Sequence, residues 1–99
     1  MAKVILQISY EIDPGRRDEY ERLAKEMKQH FTTVRKKNYS IYEQKGKKNA
    51  FVEQFVCATQ EEYEALEDDL DEKSEDLVNK LDGLLRDGKT RYITLVETD

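Results

Sequence analysis

The sequence predicts an α+β fold of the ferredoxin-like type, in which a four-stranded antiparallel sheet carries two helices on one face. Apolar residues recur at every second position in four segments, which is typical of strands, and at helical spacing in two longer segments. The resulting order is β-α-β-β-α-β. Because βαβ crossovers are right-handed, two such units joined by a hairpin place both helices on the same side of one sheet.

Alternating apolar residues predict a first strand from Val4 to Ile12. Asp13 and Pro14 then end the strand and start a helix, since Asp is a good N-cap and Pro suits the first helical position. We expect this helix to end near residues 32–35, where basic residues complement its dipole. Its apolar stripe comprises Tyr20, Leu23, Ala24, Met27, Phe31 and Val34.

Two further strands, over residues 39–44 and 50–58, are predicted to form a hairpin. The loop that joins them contains Gly46 and Asn49, which adopt positive φ more readily than other residues. A final strand is predicted over residues 91–97.

The second helix is predicted to begin with a capping box, in which Thr59 accepts from the N–H three residues on and Glu62 reaches back to the N–H of Thr59. Lys73 and Ser74 interrupt its apolar stripe, just after a run of acidic residues. We therefore expect a kink or short break around residues 71–74, with Ser74 as a second N-cap. The stripe comprises Tyr63, Leu66, Leu70, Leu77, Leu81 and Leu84, and Asp87 with Gly88 is expected to close the helical region.

With 99 residues, the chain is expected to form a single domain, residues 1–99. The net charge of -5 and the pI near 5.0 argue against nucleic acid or an anionic membrane as a partner, since both demand clustered positive charge. No apolar segment is long enough to span a bilayer. The single cysteine, Cys57, excludes a disulfide framework and a Cys-based metal site, and the acidic run lacks the glycine and spacing of a calcium loop. We expect a cytoplasmic protein without a metal site.

Two helices cover only one face of a four-stranded sheet, so the other face must meet water or a partner. Depending on register, that face carries Ile5 together with several residues of the hairpin. From the last strand it carries either Ile93 and Leu95 or Tyr92 and Val96. The hairpin residues in question are Tyr39, Ile41, Tyr42, Phe51, Val52, Phe55 and Val56. Monomers seldom expose contiguous apolar patches of more than a few hundred Å². We therefore expect a homodimer with two-fold symmetry, sheet packed against sheet.

Three stretches of the chain resemble a known group of proteins: Glu53-Gln54-Phe55, the acidic helix start at residues 59–66, and the closing strand at residues 92–97. With the β-α-β-β-α-β order, they resemble the dimeric α+β barrel superfamily and, within it, antibiotic-biosynthesis-monooxygenase-like domains. The resemblance covers essentially the whole chain. It implies a homodimer whose two sheets form a shared barrel, with a ligand cavity between the sheet and the helices of each subunit.

The chain also departs from that superfamily. Members that degrade haem use an Asn on the first strand, a Trp, and a His on the second helical segment. This chain has no Trp, offers Gln7, Ile8 and Ser9 where the Asn would lie, and has no His in residues 61–85. Haem degradation is therefore not expected, cofactor-free oxygenation loses its most transferable residues, and we expect no cofactor.

The candidate catalytic residue is His30, which alone titrates near neutral pH in its unperturbed form. It is a candidate general base or ligand-orienting group at the cavity rim. The alternative is a histidine held at a helix C-terminus by the dipole and by Glu26, and no Asp or Ser near it in sequence forms a triad. Candidate residues for binding an aromatic ligand are Tyr42, Phe51, Phe55 and Tyr63, although aromatics in such positions are more often core or dimer interface.

These features leave three functions open. The first is a homodimeric α+β barrel protein of unassigned chemistry that binds a small hydrophobic or aromatic molecule between sheet and helices. The second, if the chain is an enzyme, is a cofactor-free monooxygenase acting on an aromatic or polyketide-like substrate, with His30 and one tyrosine handling protons. The third is a structural or regulatory dimer without a ligand pocket. An RNA-recognition motif shares the element order, but Lys48, Asn49 and Gln54 replace residues of its RNA-binding octapeptide.

Overall fold

The computed structural model describes residues 2–68 and 71–98, and within them four strands form one antiparallel sheet. The strands pair in the order β2-β3-β1-β4, which places the first and third strands at the centre. Every neighbouring pair is antiparallel, as a ferredoxin-like α+β fold requires, so the predicted fold class is confirmed. The strands are β1 (Val4–Ile12), β2 (Asn38–Glu43), β3 (Ala50–Cys57) and β4 (Leu85–Val96).

The first helical region begins and ends where the sequence predicts. The Asp13 side chain accepts a hydrogen bond from the Gly15 N–H at 3.0 Å, and Pro14 opens a short 3₁₀ turn, Pro14–Arg16. Helix α1 (Arg17–Lys28) follows and continues into a π-helical segment, Gln29–Val34. The stripe on α1 packs on the sheet because its buried residues fall at helical spacing.

The second helical region is broken into α2 (Gln60–Asp68) and α3 (Glu72–Asp82), which confirms the predicted interruption. The N-cap of α3 is Asp71, whose side chain accepts from the Ser74 N–H at 2.9 Å, so the prediction that Ser74 is the cap is wrong. Asp71 takes this position because it lies three residues before Ser74, the spacing at which a side chain reaches a free helical N–H. Leu70, predicted on the apolar stripe, lies outside the described residues.

The capping box at the start of α2 forms with one difference. The Glu62 N–H donates to Thr59 Oγ1 at 3.1 Å, as predicted. The Glu62 carboxylate accepts from the Ala58 N–H at 2.8 Å, and not from the N–H of Thr59. Ala58 lies one residue beyond the end of β3, where strand pairing has ended, so its N–H is available to the carboxylate.

The last strand begins earlier than predicted, at Leu85 and not near residue 91. The Asp13 N–H donates to the Leu84 carbonyl at 2.8 Å, and Leu85 pairs with Ile12, so the end of β1 captures the chain directly after α3. Asp87 and Gly88 therefore do not close the helical region. They lie within a bulge of β4, which Gly88 accommodates with a φ of 70°.

The register settles which residues occupy each face of the sheet. Glu53 pairs with Ile8 of β1 and Ile41 of β2, and this row faces the helices. The opposite face carries a hydrogen bond from Gln7 to Gln54 at 3.0 Å near its centre. Around that bond lie Ile5, Tyr42, Val52, Val56, Ile93 and Leu95, of which Tyr42, Ile93 and Leu95 are exposed. Within the described ranges, no helix is both long and apolar enough to cross a bilayer.

Candidate functional site

A cavity of about 330 Å³ lies between the helix-facing side of the sheet and the helices. β1, β3 and β4 form its floor, while α1 with its π-helical extension, α2 and α3 form the opposite wall. Its lining is largely apolar, and includes Leu6, Ile8, Phe31, Phe55, Leu66 and Val78. The cavity lies where the resemblance to α+β barrel proteins places a ligand.

Glu53 brings a carboxyl group into this apolar lining. It occupies the middle of β3, on the face shared by Phe51 and Phe55, and its side chain is only 5% exposed. The Tyr39 hydroxyl donates a hydrogen bond to Glu53 Oε1 at 2.5 Å. Among the described residues, no ion pair joins this carboxyl to a basic side chain.

Burial raises the pKa of Glu53 above its ordinary value, because the charged form loses its hydration inside the protein. The hydrogen bond from Tyr39 and the nearby Tyr10 phenol favour the charged form and oppose part of this rise. A carboxyl is also among the groups that act as a general acid or base when a reacting proton lies within hydrogen-bond reach. The chemistry that this position supports is therefore hydrogen bonding or proton transfer at Glu53.

A group of buried phenols surrounds the carboxyl. The hydroxyls of Tyr10 and Tyr20 lie 2.8 Å apart, and both residues are buried. Burial raises the pKa values of Tyr10, Tyr20 and Tyr39, with the charge on Glu53 adding to the rise. The three phenols therefore stay protonated at neutral pH, and they act as hydrogen-bonding groups.

The cavity rim carries groups of both charges. Arg35 and Lys37 line it, and the Arg35 guanidinium lies 3.2 Å from Asp71 Oδ1. Asp82 supplies an acidic group to the same lining. Along β4 the Tyr63 hydroxyl hydrogen-bonds the Thr94 hydroxyl at 3.0 Å.

His30 is buried between the end of the first helical region and the start of α3. Its Nε2 lies 3.2 Å from Asp71 and 3.1 Å from Ser74 Oγ. The contact with Glu26 considered from the sequence does not form, because Glu26 pairs with Lys73 at 3.4 Å. A Ser-His-Asp triad places its acid and its nucleophile on different ring nitrogens, whereas here both groups meet Nε2. The arrangement ties two helical segments together, and His30 is not among the residues that line the cavity.

The structure separates the four aromatic residues predicted to bind a ligand. Phe55 and Tyr63 line the cavity. Phe51 lies in the core with its ring centroid 4.3 Å from that of Tyr20, and Tyr42 lies on the opposite face of the sheet. Ligand binding by any of the four stays a prediction, as does a catalytic role for His30.

Glu53 is the site residue that sequence reasoning missed. The signal was present, since the alternation in β3 places this carboxyl on the same face as Phe51, Phe55 and Cys57. A charged residue within an otherwise apolar strand face is seldom buried without a partner. Cys57 itself is buried, and burial raises the pKa of its thiol, which disfavours the reactive thiolate.

Comparison with known proteins supports the fold assignment. No protein-family model matches the sequence, and no curated protein matches it. Solved structures do match. SnoaB, a cofactor-independent oxygenase of Streptomyces nogalater, superposes with a TM-score of 0.75 at 11% identity, over 98% of this chain and 94% of SnoaB.

Two other solved structures have the same fold. A candidate antibiotic biosynthesis monooxygenase of Deinococcus radiodurans gives a TM-score of 0.77 at 10% identity, over 97% of this chain and 93% of that one. A NIPSNAP family protein of Agrobacterium tumefaciens gives 0.76 at 16% identity, over 98% and 94%. The resemblance to antibiotic-biosynthesis-monooxygenase-like domains is thus confirmed for the fold, which is what likeness at such low identity shows.

The Asp71 cluster, which consists of Asp71 and its partners His30, Ser74 and Arg35, predicts a pH-dependent stability. Hydrogen bonds from Ser74 and His30 hold the pKa of Asp71 below its usual range. A carboxyl whose pKa is depressed in the folded state stabilises the fold above its unfolded pKa, and that stabilisation is lost as the pH falls through the folded value. Asp71→Asn keeps a capping oxygen but loses the charge. We expect urea denaturation to show it less stable than wild type at pH 7, with the difference shrinking below about pH 4.

The matched control is Asp76→Asn, on the exposed face of the same helix, where the carboxylate pairs with Lys80 at 3.5 Å. It should change stability less at pH 7, since exposed i,i+4 pairs contribute little. Equal losses in the two variants at pH 7 would show that the Asp71 cluster does not stabilise the fold through its charge.

Proposed function

We propose that this chain is a homodimeric protein that binds a small, largely apolar molecule in the cavity between its sheet and helices. The observation that carries the proposal is Glu53, a buried carboxyl set in the lining of an apolar cavity. The apolar wall supplies affinity through the hydrophobic effect, and the carboxyl orients the ligand through one polar group.

The size of the cavity supports a ligand of modest dimensions. Ligand pockets are usually about 300–1,000 Å³, and this one lies at the lower end of that range. A molecule with one or two rings suits such a volume. The cavity also counts against a structural or regulatory dimer without a pocket, since that alternative gives no reason for a carboxyl among apolar side chains.

The uncovered face of the sheet supports the homodimer. It combines apolar side chains with a polar pair, Gln7 and Gln54, whose amides are already hydrogen-bonded to each other. Burial of this face would remove apolar side chains from water, among them Leu95, which is 44% exposed. Two-fold packing of one such face on another is the commonest closure for soluble proteins.

A second candidate is a cofactor-free monooxygenase that acts on an aromatic substrate. What favours it is the combination of the fold, which SnoaB shares, with an ionisable group inside the cavity. In such a reaction a base removes a proton from the substrate, which then reacts with dioxygen. Glu53 has the position for this role, and His30 does not line the cavity.

The cavity proposal predicts that blocking the cavity abolishes binding. Val78 lines the cavity from α3, and Val78→Trp fills part of it. We expect at least one of phenol, 2-naphthol and 1-naphthylmethanol to raise the melting temperature of the wild type and not that of this variant. A ligand at a hundred times its Kd stabilises by about 2.7 kcal/mol. Differential scanning fluorimetry followed by calorimetry measures both effects.

Asn79→Trp is the control, because the neighbouring position on α3 is exposed and does not line the cavity. It should bind as the wild type does. If a broad panel of small aromatic compounds leaves the wild-type melting temperature unchanged, the protein does not bind such ligands and the pocketless dimer becomes the better account.

The homodimer proposal predicts that a charge on the uncovered face dissociates the protein. Leu95→Arg places a guanidinium within the proposed interface, where burial of an unpaired charge is costly. Light scattering at tens of micromolar should give twice the chain mass for wild type and the chain mass for this variant. Val34→Arg, at an exposed apolar residue outside the sheet, should remain dimeric. A monomeric wild type would contradict the proposal.

The oxygenase alternative predicts oxygen consumption that depends on Glu53. With a panel of hydroquinones, an oxygen electrode should record uptake by the wild type and a loss of about 10²-fold or more in Glu53→Gln, as for removal of a general base. His30→Ala separates the two candidate bases, since activity lost only in that variant would favour His30. No uptake with any substrate would leave binding as the function.

A further inference from the structure

We propose that the molecule bound in this cavity is a small aromatic or aliphatic amine in its ammonium form, with its nitrogen paired to the Glu53 carboxylate. The inference rests on the proposed binding function and specifies the ligand class. It follows from three observations: the donor to the carboxyl is uncharged, no basic side chain among the described residues pairs with the carboxyl, and aromatic rings line the same cavity.

Among the described residues, the group that hydrogen-bonds Glu53 is a phenol, which carries no charge. Tyr39 donates to Oε1, and Tyr10 lies near enough to the carboxyl to lower its pKa. Since Tyr20 lies 2.8 Å from Tyr10, it can donate in turn to the Tyr10 oxygen. The phenols can therefore orient towards a negative charge at Glu53. No basic side chain among the described residues pairs with that charge, so an ammonium group supplies the component that the protein omits.

Aromatic rings in the lining give a second, independent reason for a cation. Phe31, Phe55 and Tyr92 contribute to the same cavity as Glu53. The face of an aromatic ring attracts a cation, and the attraction is stronger where water is excluded. The hydrocarbon part of an amine packs on the same rings.

Charges at the rim act in both directions. Asp82 favours a cation, and the charge of Arg35 is offset by Asp71 at 3.2 Å. Lys37 opposes a cation. The net charge of -5 favours the approach of an ammonium ion over that of an anion.

At any pH at which Glu53 is protonated in the empty site, binding of the ammonium ion releases a proton. In the empty cavity burial favours the neutral carboxylic acid at Glu53. The bound state holds a carboxylate and an ammonium ion, whose attraction is strong where water is excluded. The balance is that Glu53–COOH and R–NH₃⁺ give the Glu53–COO⁻ and R–NH₃⁺ pair and one H⁺, which passes to the buffer. Affinity therefore rises with pH until the carboxyl of the empty site is already ionised.

Isothermal titration calorimetry with three probes of similar shape tests this inference. The probes are 2-phenylethylamine, 2-phenylethanol and 3-phenylpropionate, each titrated in phosphate and in Tris, which differ in ionisation enthalpy. We expect the amine to bind about tenfold or more tightly than the alcohol, equivalent to ~1.4 kcal/mol. Only the amine should release a proton, and the carboxylate should bind weakest.

Two variants identify the groups responsible. Glu53→Gln conserves shape and should lose both the preference for the amine and the proton release, while binding of the alcohol persists. Lys37→Gln removes the opposing charge, so it should tighten amine binding by several-fold and leave the alcohol unaffected. This second variant keeps the test valid should Glu53→Gln fold poorly.

The outcomes separate this inference from the function on which it rests. Equal affinity of the amine and the alcohol in the wild type, without proton release, would overturn the amine assignment and leave the cavity as a binding site. Preference for 3-phenylpropionate would overturn it in favour of an anion held at Lys37. Failure of all three probes, together with no response to the aromatic panel, would overturn both.

Discussion

The strict alternation of side chains along β3 is the constraint on which this structure depends. Because a strand has a period of two, one register places Phe51, Glu53 and Phe55 against the helices and Val52 and Val56 on the other face. A shift by one residue would put the carboxyl on the open face and two valines in the core. The core, the cavity and the uncovered face are therefore set together by a single pairing of central strands.

The break between α2 and α3 gives the helical layer the shape that encloses a cavity. Asp71 caps α3 and contacts both His30 and Arg35, so the start of α3 is fixed to the end of the first helical region. Both α2 and α3 contribute residues to the cavity wall. Towards β4 the cover is incomplete, since Tyr92 is 65% exposed although it lines the cavity. A ligand of the proposed kind would enter the cavity most directly at this edge.

Local sequence signals predicted the helices, strands and turns. They failed where contacts between distant parts of the chain determine the boundary of an element. The caps at Asp13 and Thr59 and the positive φ of Gly46 and Asn49 are local, and the structure has them. The start of β4 is not local: Leu85 extends because Ile12 pairs with it. Leu84 is buried in the turn after α3, and a continued helix would also call for an apolar residue at this position. The helical pattern through Leu84 therefore could not reveal where β4 begins.

The candidate site likewise combines features that the local sequence predicts with features that depend on tertiary contacts. Phe55 and Tyr63 were chosen for being aromatic, and the register brings both to the cavity. His30 was chosen for its intrinsic pKa, yet its partners Asp71 and Ser74 are more than forty positions away in sequence. The alternation in β3 alone does not identify Glu53 as a site residue, because a carboxyl in a strand is usually solvated. Only the pairing of three strands shows that it is buried, and only the helices show that it faces a cavity.

The free energy of burying Glu53 argues that the residue is kept for function. A small domain is stable by about 5–15 kcal/mol, and a buried ionisable group without a charged partner removes about 1–3 kcal/mol even when hydrogen-bonded in part. Tyr39 donates a hydrogen bond to this carboxyl. Leucine at position 53 together with phenylalanine at position 39 would remove both polar groups, and such apolar replacements of buried polar pairs are often neutral or stabilising. A buried carboxyl set against open volume is what the proposed binding site requires.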